Sequence, residues 1–201
     1  MNRSIIRSST LRAGLLVAVA AFAGCSAGYT TDNSSSVQLI IASINGGSAL
    51  NSDVCQGDSG CTVKADLATL AMAVRFKNPN ITIVPSVPSA VIIERYEVKY
   101  RRSDGRGVEG QDVPYSISGN LVATFDVKVS GTDDLILEVV RVQAKLEKPL
   151  SNLRGIQPNV LSGSALALTM FADITLHGRT ISGQAVTATG SLQINFADSA
   201  E

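Results

Sequence analysis

The chain has no tryptophan, a single histidine and only three cysteines, and its charges cancel, with 17 Lys and Arg against 17 Asp and Glu. Each shortage excludes something. One histidine, His177, cannot build a zinc centre by itself, because zinc wants several His or Cys ligands. The lack of excess basic charge argues against a nucleic-acid partner, for which a basic face is expected. Long apolar runs are missing too: Ala13–Ala23 falls well short of the roughly 20 residues a bilayer-spanning helix needs. Nothing downstream approaches that length without charges or turn residues. No cofactor is expected.

What is present at the start is a targeting grammar. MNRSIIRSSTLRAGLLVAVAAFAGC carries Arg3, Arg7 and Arg12 and no acid, then the apolar run, then small residues. This reads as a secretory signal over residues 1–24, removed on export. Phe22-Ala23-Gly24-Cys25 resembles the lipobox of bacterial lipoproteins, with phenylalanine where leucine is more usual. The resemblance implies a diacylglycerol on Cys25, which becomes the first residue of the mature chain. The alternative is an ordinary signal cut near Ala23, with Cys25 a bystander. Several acyl chains hold a protein stably where one holds it weakly. Ser26, rather than an acid, follows the cysteine, which by the same resemblance implies the outer membrane of a double-membrane cell envelope.

Three cysteines is an odd number, and an odd thiol in an exported protein needs a use. With Cys25 lipidated, Cys55 and Cys61 remain, six residues apart around Gly57 and Gly60. Export brings them to an oxidising compartment, so a Cys55–Cys61 disulfide is expected. So short a loop gains only about 2 kcal/mol from chain entropy, and the bond's expected role is to fix a local shape.

Without residues 1–24, the chain keeps 14 Lys and Arg against 17 Asp and Glu, a net charge of −3. Residues 25–36 read as the lipidated cysteine and a small, polar, flexible tether with a reach of ~18 Å. Residues 37–199 then form one domain of ample size for a core. From Val37 onward the hydrophobic period is two. Strands are expected at 37–44, around Ala68, Leu70, Met72, Val74 and Phe76, and around Ile92, Tyr96, Val98 and Tyr100, where Glu94 breaks the pattern. Further strands follow at Leu121–Val129, Leu135–Val142, Leu166–Leu176 and Val186–Phe196. Turn signals separate them at 78–80, 103–107, 130–134, 177–179 and 182–183. About seven short alternating strands predict an all-β, antiparallel two-sheet sandwich. β-branched crowding at Val139, Val140 and Val142 opposes helix there, leaving 143–148 as a short crossover helix before Pro149.

The segments RYEVKYRRSDGRGVEGQDVPYSISG and ITLHGRTISGQAVTATGSLQINFAD resemble uncharacterised bacterial lipoproteins with an immunoglobulin-like β-sandwich. The likeness covers roughly residues 37–197 and transfers no catalytic residue. The inter-sheet disulfide and core tryptophan of antibody domains are lacking.

Gly57-Asp58-Ser59-Gly60 resembles the segment around the nucleophile of trypsin-like proteases. A serine nucleophile needs a base held by a third group. His177 lies far downstream, in the wrong order for that family, and Cys61 stands where a glycine is wanted. A hydrolase order of Ser59, then Asp104, Asp112 or Asp126, then His177 stays formally open. Such strings are common in loops because their residues make turns, so a disulfide-clipped turn is preferred, with His177 a surface turn residue. Asp104, Glu109 and Asp112 fall in one loop where oxygen ligands could converge on calcium; solvated turn acids are the default. Lys99, Arg101, Arg102 and Arg106 interleave with Glu94, Glu97, Asp104 and Glu109, so they read as a mixed solvated face. Tyr96 and Tyr100 read as packing, and Val84–Pro88 as the blunting of a sheet edge. The functional expectation is a lipid-anchored envelope module that binds or supports, without catalysis. Its partners would be the membrane, through Cys25, and an envelope protein or surface polysaccharide met by loops 55–61 and 103–113. The alternatives are the Ser59 hydrolase and a calcium-stabilised adhesion or carbohydrate-binding domain.

Overall fold

The computed structural model describes residues 35–55, 61–78, 80, 89–154 and 167–198. Among the described residues, eight strands form two sheets. β1 (Val37–Ile44), β3 (Asp66–Phe76) and β6 (Asp133–Val140) make the first, in the order β1-β3-β6. β2 (Leu50–Asp53), β8 (Ala185–Ala197), β7 (Leu168–Thr180), β4 (Val91–Arg102) and β5 (Ile117–Phe125) make the second, in that order. All pairings between these strands are antiparallel except β2 with β8. The expected all-β class is what the chain adopts.

The period-two faces become the core. Leu70, Met72 and Val74 of β3, Leu135, Leu137 and Val139 of β6, Met170, Ala172, Ile174 and Leu176 of β7, and Leu192, Ile194 and Phe196 of β8 are all buried in one cluster. Ile41 and Ile44 of β1 lie against Gly190 of β8. The buried Tyr100 hydroxyl donates to Val139 O at 2.7 Å, joining β4 to β6 across the core. The chain passes from the first sheet to the second through Asn45-Gly46-Gly47, whose φ values of 51°, 63° and 83° explain two glycines after an asparagine.

Several boundaries differ from the sequence pattern, each for a physical reason. β2 (LNSD) has no apolar alternation; it forms because its backbone pairs in parallel with β8 at the sheet edge. β5 runs 117–125 rather than 121–129, since Gly119 is covered by the Tyr96 ring and extends the strand instead of breaking it. Val127 is buried through a single bridge to Val74, while Val129 is exposed. Residues 177–179 are not a turn. They lie inside β7, where Ile93 faces Gly178 and Arg95 faces His177, so Glu94 is the extra residue of a β-bulge. A Cβ on Gly178 would come within 2.4 Å of Ile92 O, so only glycine fits beside that bulge. The bulge also resets the faces: Val91 and Ile93 are buried before it, Val98 and Tyr100 after it. The crossover helix, α1, spans Val142–Leu146. Ser35 is buried, and its hydroxyl bonds to both Val37 N and Val37 O, so the domain already includes it.

Candidate functional site

The strand registers sort the loops into two ends. β4 ends at Arg102, which faces Met170; Met170 faces Ile194, and β8 continues to Ala197 opposite Asp53 at the end of β2. Val54 N donates to Ala197 O at 2.9 Å. The segments after β2 and after β4 therefore leave the sandwich at the same end, with α1 beyond β6. Val37 pairs with Phe76 at the other end. Cys55 and Cys61 are disulfide-bonded, with their Cα atoms 4.9 Å apart, as their spacing suggested.

Beneath this disulfide lies a polar cluster that the sequence did not announce. Lys145 of α1 is 0% exposed. Its ammonium donates to Asp53 O and to Asp66 Oδ1, both at 2.9 Å. The buried Ser52 hydroxyl donates to the other oxygen, Asp66 Oδ2, and Arg154 donates to Lys145 O at 2.9 Å. A charged lysine tolerates burial only when paired and hydrogen-bonded, and here it ties β2, β3 and α1 together at the two stems of the disulfide loop. The Ser52–Asp66–Lys145 order superficially resembles a catalytic relay. Its geometry does not serve one: Ser52 is buried away from solvent, and both oxygens of Asp66 are already engaged, one by an ammonium. The cluster is a clamp.

The loop between β4 and β5 is braced from within. Asp112 N and Val113 N both donate to Val108 O, Gly110 N donates to Val113 O at 2.8 Å, and Val113 is buried beneath. The three acids of the calcium candidate do not come together. Asp104 accepts from Arg102 and from Arg106 N, Glu109 accepts from Ser116 N, and Asp112 accepts from Val108 N. Among the described residues no group of three His, Cys, Asp or Glu side chains gathers as a metal site. Desolvation pushes the Asp104 pKa up, but the Arg106 N–H and the Arg102 and Arg106 charges outweigh it and hold the carboxyl below its ordinary value. Val108 and Tyr115 stay exposed on this loop.

The basic cluster is spent on ion pairs. Lys99 meets Glu97 at 3.8 Å, Arg101 meets Asp173 at 2.9 Å and lies over the Phe171 ring, and Asp104 meets Arg102 at 2.8 Å and Arg106 at 3.7 Å. Tyr96 packs over Gly119 and Tyr100 is core. His177, expected in a turn, stands mid-strand between Arg95 and Thr187, its Nε2 3.9 Å from Glu97 Oε1. Cys25, Ser59 and Val84–Pro88 lie outside the described residues, as does all but the last two residues of the 25–36 tether. No helix among the described residues is long and apolar enough to cross a membrane.

The opposite end has its own clamp. Arg75 donates through Nη1 to Val74 O and Lys128 O at 3.2 and 2.8 Å, and through Nη2 to Gly131 O at 2.6 Å. Nothing in the alternating run of β3 marks this arginine as special, and a lysine buried in QAKLEK leaves no more trace. The chain matches no known family model, and neither curated proteins nor solved structures give a significant match.

Proposed function

We propose that this chain is an exported, lipid-anchored binding module of the bacterial cell envelope, carried on an immunoglobulin-like sandwich and working without catalysis. The observation that carries this reading is Phe22-Ala23-Gly24-Cys25 behind a basic and then an apolar segment. Strand order supports the fold assignment. β1-β3-β6 beside β2-β8-β7-β4-β5 resembles the order of an immunoglobulin-like domain whose first strand is shared between the sheets. A short helix crosses over between β6 and β7, and on this reading the buried Tyr100 of β4 would stand in for the core tryptophan that antibody domains carry.

The binding reading rests on the end bearing the disulfide and the 103–116 loop. Recognition commonly sits on loops held by a rigid scaffold; Asp53 and Asp66, which flank the disulfide segment, are joined by Lys145, and the 103–116 loop is braced by its own backbone bonds. The partner on this reading is an envelope protein or surface polysaccharide. The test is metabolic labelling with an alkynyl fatty acid, read with cell fractionation. Wild type should carry label and pellet with outer membrane, whereas Cys25→Ala should lose the label and leave the membrane. Unlabelled wild type cut near Ala23 would overturn the anchor and leave a free exported domain. In-cell cross-linking of the anchored protein then identifies the partner.

A further inference from the structure

We propose that the end of the domain where the chain enters rests on the lipid surface itself, with loop 126–132 as the contact and Val129 at its tip. This rests on the lipid-anchor reading and adds an orientation to it. Ser35, the first described residue, is buried, and Ser36 O accepts from Lys77 N at 3.0 Å. The chain therefore joins the sandwich directly beside the end of β3. Cys25 precedes Ser35 by ten residues, so a lipid there keeps this end, not the disulfide end, close to the bilayer. Chemistry too weak to bind from solution becomes effective at such local concentration.

The loop beside this point is built as a rigid tip. Val127 is buried against β3, and Lys128 N donates to Val74 O at 3.2 Å. The Arg75 guanidinium then ties down Lys128 O and Gly131 O on either side of Val129. Lys128 is also ion-paired with Asp133. Between these bonds Val129 is 93% exposed. A second apolar tip, Ile181, stands at the same end on the other sheet. Its turn is fastened by Thr180 N to Gln184 O at 2.8 Å and by Ile181 N to Ala90 O at 3.0 Å. A tip held in place beforehand loses little conformational freedom on contact.

The occupant follows from the side chains. Protein hot spots favour Trp, Tyr and Arg; at this end Arg75 is engaged by Lys128 O and Gly131 O and Arg179 by Glu94 at 2.8 Å, while the far end displays Tyr115. Around the loop, Arg75, Lys77 and Lys128 stand against Asp126, Asp133 and Asp134, so charges balance. The contact is apolar, directed to the headgroup and acyl boundary whatever the headgroup charge, and indifferent to salt.

The absence of tryptophan makes the test clean. Val129→Trp and Tyr115→Trp each create a single-tryptophan protein. Both are prepared lipidated, checked by mass for the diacylglycerol, and reconstituted into vesicles of phosphatidylethanolamine and phosphatidylglycerol that are recovered by flotation. The expected result is that lipidated Val129→Trp emits at shorter wavelength than its soluble Cys25→Ala form, is quenched by acyl-brominated lipid and is unchanged in high salt. The Tyr115→Trp protein should emit as in water, without quenching. Floating, diacylated Val129→Trp protein whose indole is not quenched overturns the inference while the anchor stands. A blue shift without quenching means that another copy covers the tip, and overturns it as well. Protein without diacylglycerol that fails to float ends the anchor reading and takes this inference with it.

Discussion

The two ends of the sandwich are each held by one cation, Lys145 at the disulfide end and Arg75 at the end where β1 starts, and the two solve different problems. Lys145 is a fully buried point charge that meets one carboxylate and one carbonyl. Arg75 is a planar fork, partly open to solvent, that meets three neutral carbonyls. A compact ammonium in the interior needs an anion, and Asp66 supplies it. A guanidinium keeps its charge partly hydrated while spreading donors over diverging carbonyls. The first clamp therefore sits inside the core, and the second fastens a surface loop to the end of β3. Substitutions should unfold the domain at one end and merely loosen a loop at the other.

The sharpest way to break this contrast is Lys145→Met. It leaves Asp66 nearly buried and unpaired, and removing one partner of such a pair costs about 3–5 kcal/mol. Because Asp66 keeps a little solvent contact, the lower end of that range is expected. The read-out is the urea midpoint. Lys145→Met combined with Asp66→Leu should recover most of the loss, because no unpaired charge is left. A single substitution costing under ~1 kcal/mol would mean that the clamp is no tighter than a surface pair.

Tyr100→Phe probes the same end less severely. It removes the hydrogen bond to Val139 O and leaves a buried acceptor, for about 1–2 kcal/mol. It also carries a pH signature. Burial raises the Tyr100 pKa, Arg141 partly opposes this, and Glu138, Asp66 and Tyr96 add to it. A group whose folded pKa is raised stabilises fully below its unfolded pKa, here about 10, and loses that stabilisation as pH climbs toward the folded value. Wild type should therefore weaken more than Tyr100→Phe as pH rises from about 9 to about 11, measured by denaturant midpoints. Equal alkaline loss in both proteins would show that Tyr100 is not the group responsible.

The same contrast explains what could be read in the sequence. Strands whose apolar faces alternate were legible, because Leu70-Met72-Val74 and Met170 through Leu176 need only a period of two to find the core. Even the interruption at Glu94 was meaningful: it marks the bulge, and its partner signal is Gly178, which looked like a turn because glycine serves both purposes. β2 was not legible, since LNSD is stabilised by parallel pairing and by Ser52 inside the Lys145 cluster, neither of which leaves a periodic trace. Lys145 and Lys148 sit three residues apart in one charged run; which of them is buried depends on where α1 begins and which way it faces. Arg75 alternates like any solvent-facing strand residue, and only its loop partners, more than fifty positions away, distinguish it. The Cys55–Cys61 bond was readable because it is local. Clamps between distant segments are not local, and both clamps here are of that kind.

Arg75→Ala is the smallest expected effect and the one that most sharpens the comparison. The lost partners are carbonyls that water can reach, so global stability should fall by only about 1 kcal/mol. The change should instead be local. Amide exchange at Lys128, whose N–H bonds to Val74 O, should accelerate by an order of magnitude or more, while amides of β7 and β8 exchange as before. Opening of a loop with its own low free energy leaves core protection untouched. In the Val129→Trp background, Arg75→Ala should weaken quenching by brominated lipid without reducing flotation, since on the proposed anchoring the acyl chains would supply attachment and the rigid tip only orientation. If β7 and β8 lose protection together with the loop, then Arg75 is tied to the core after all, and the two ends differ in burial but not in kind.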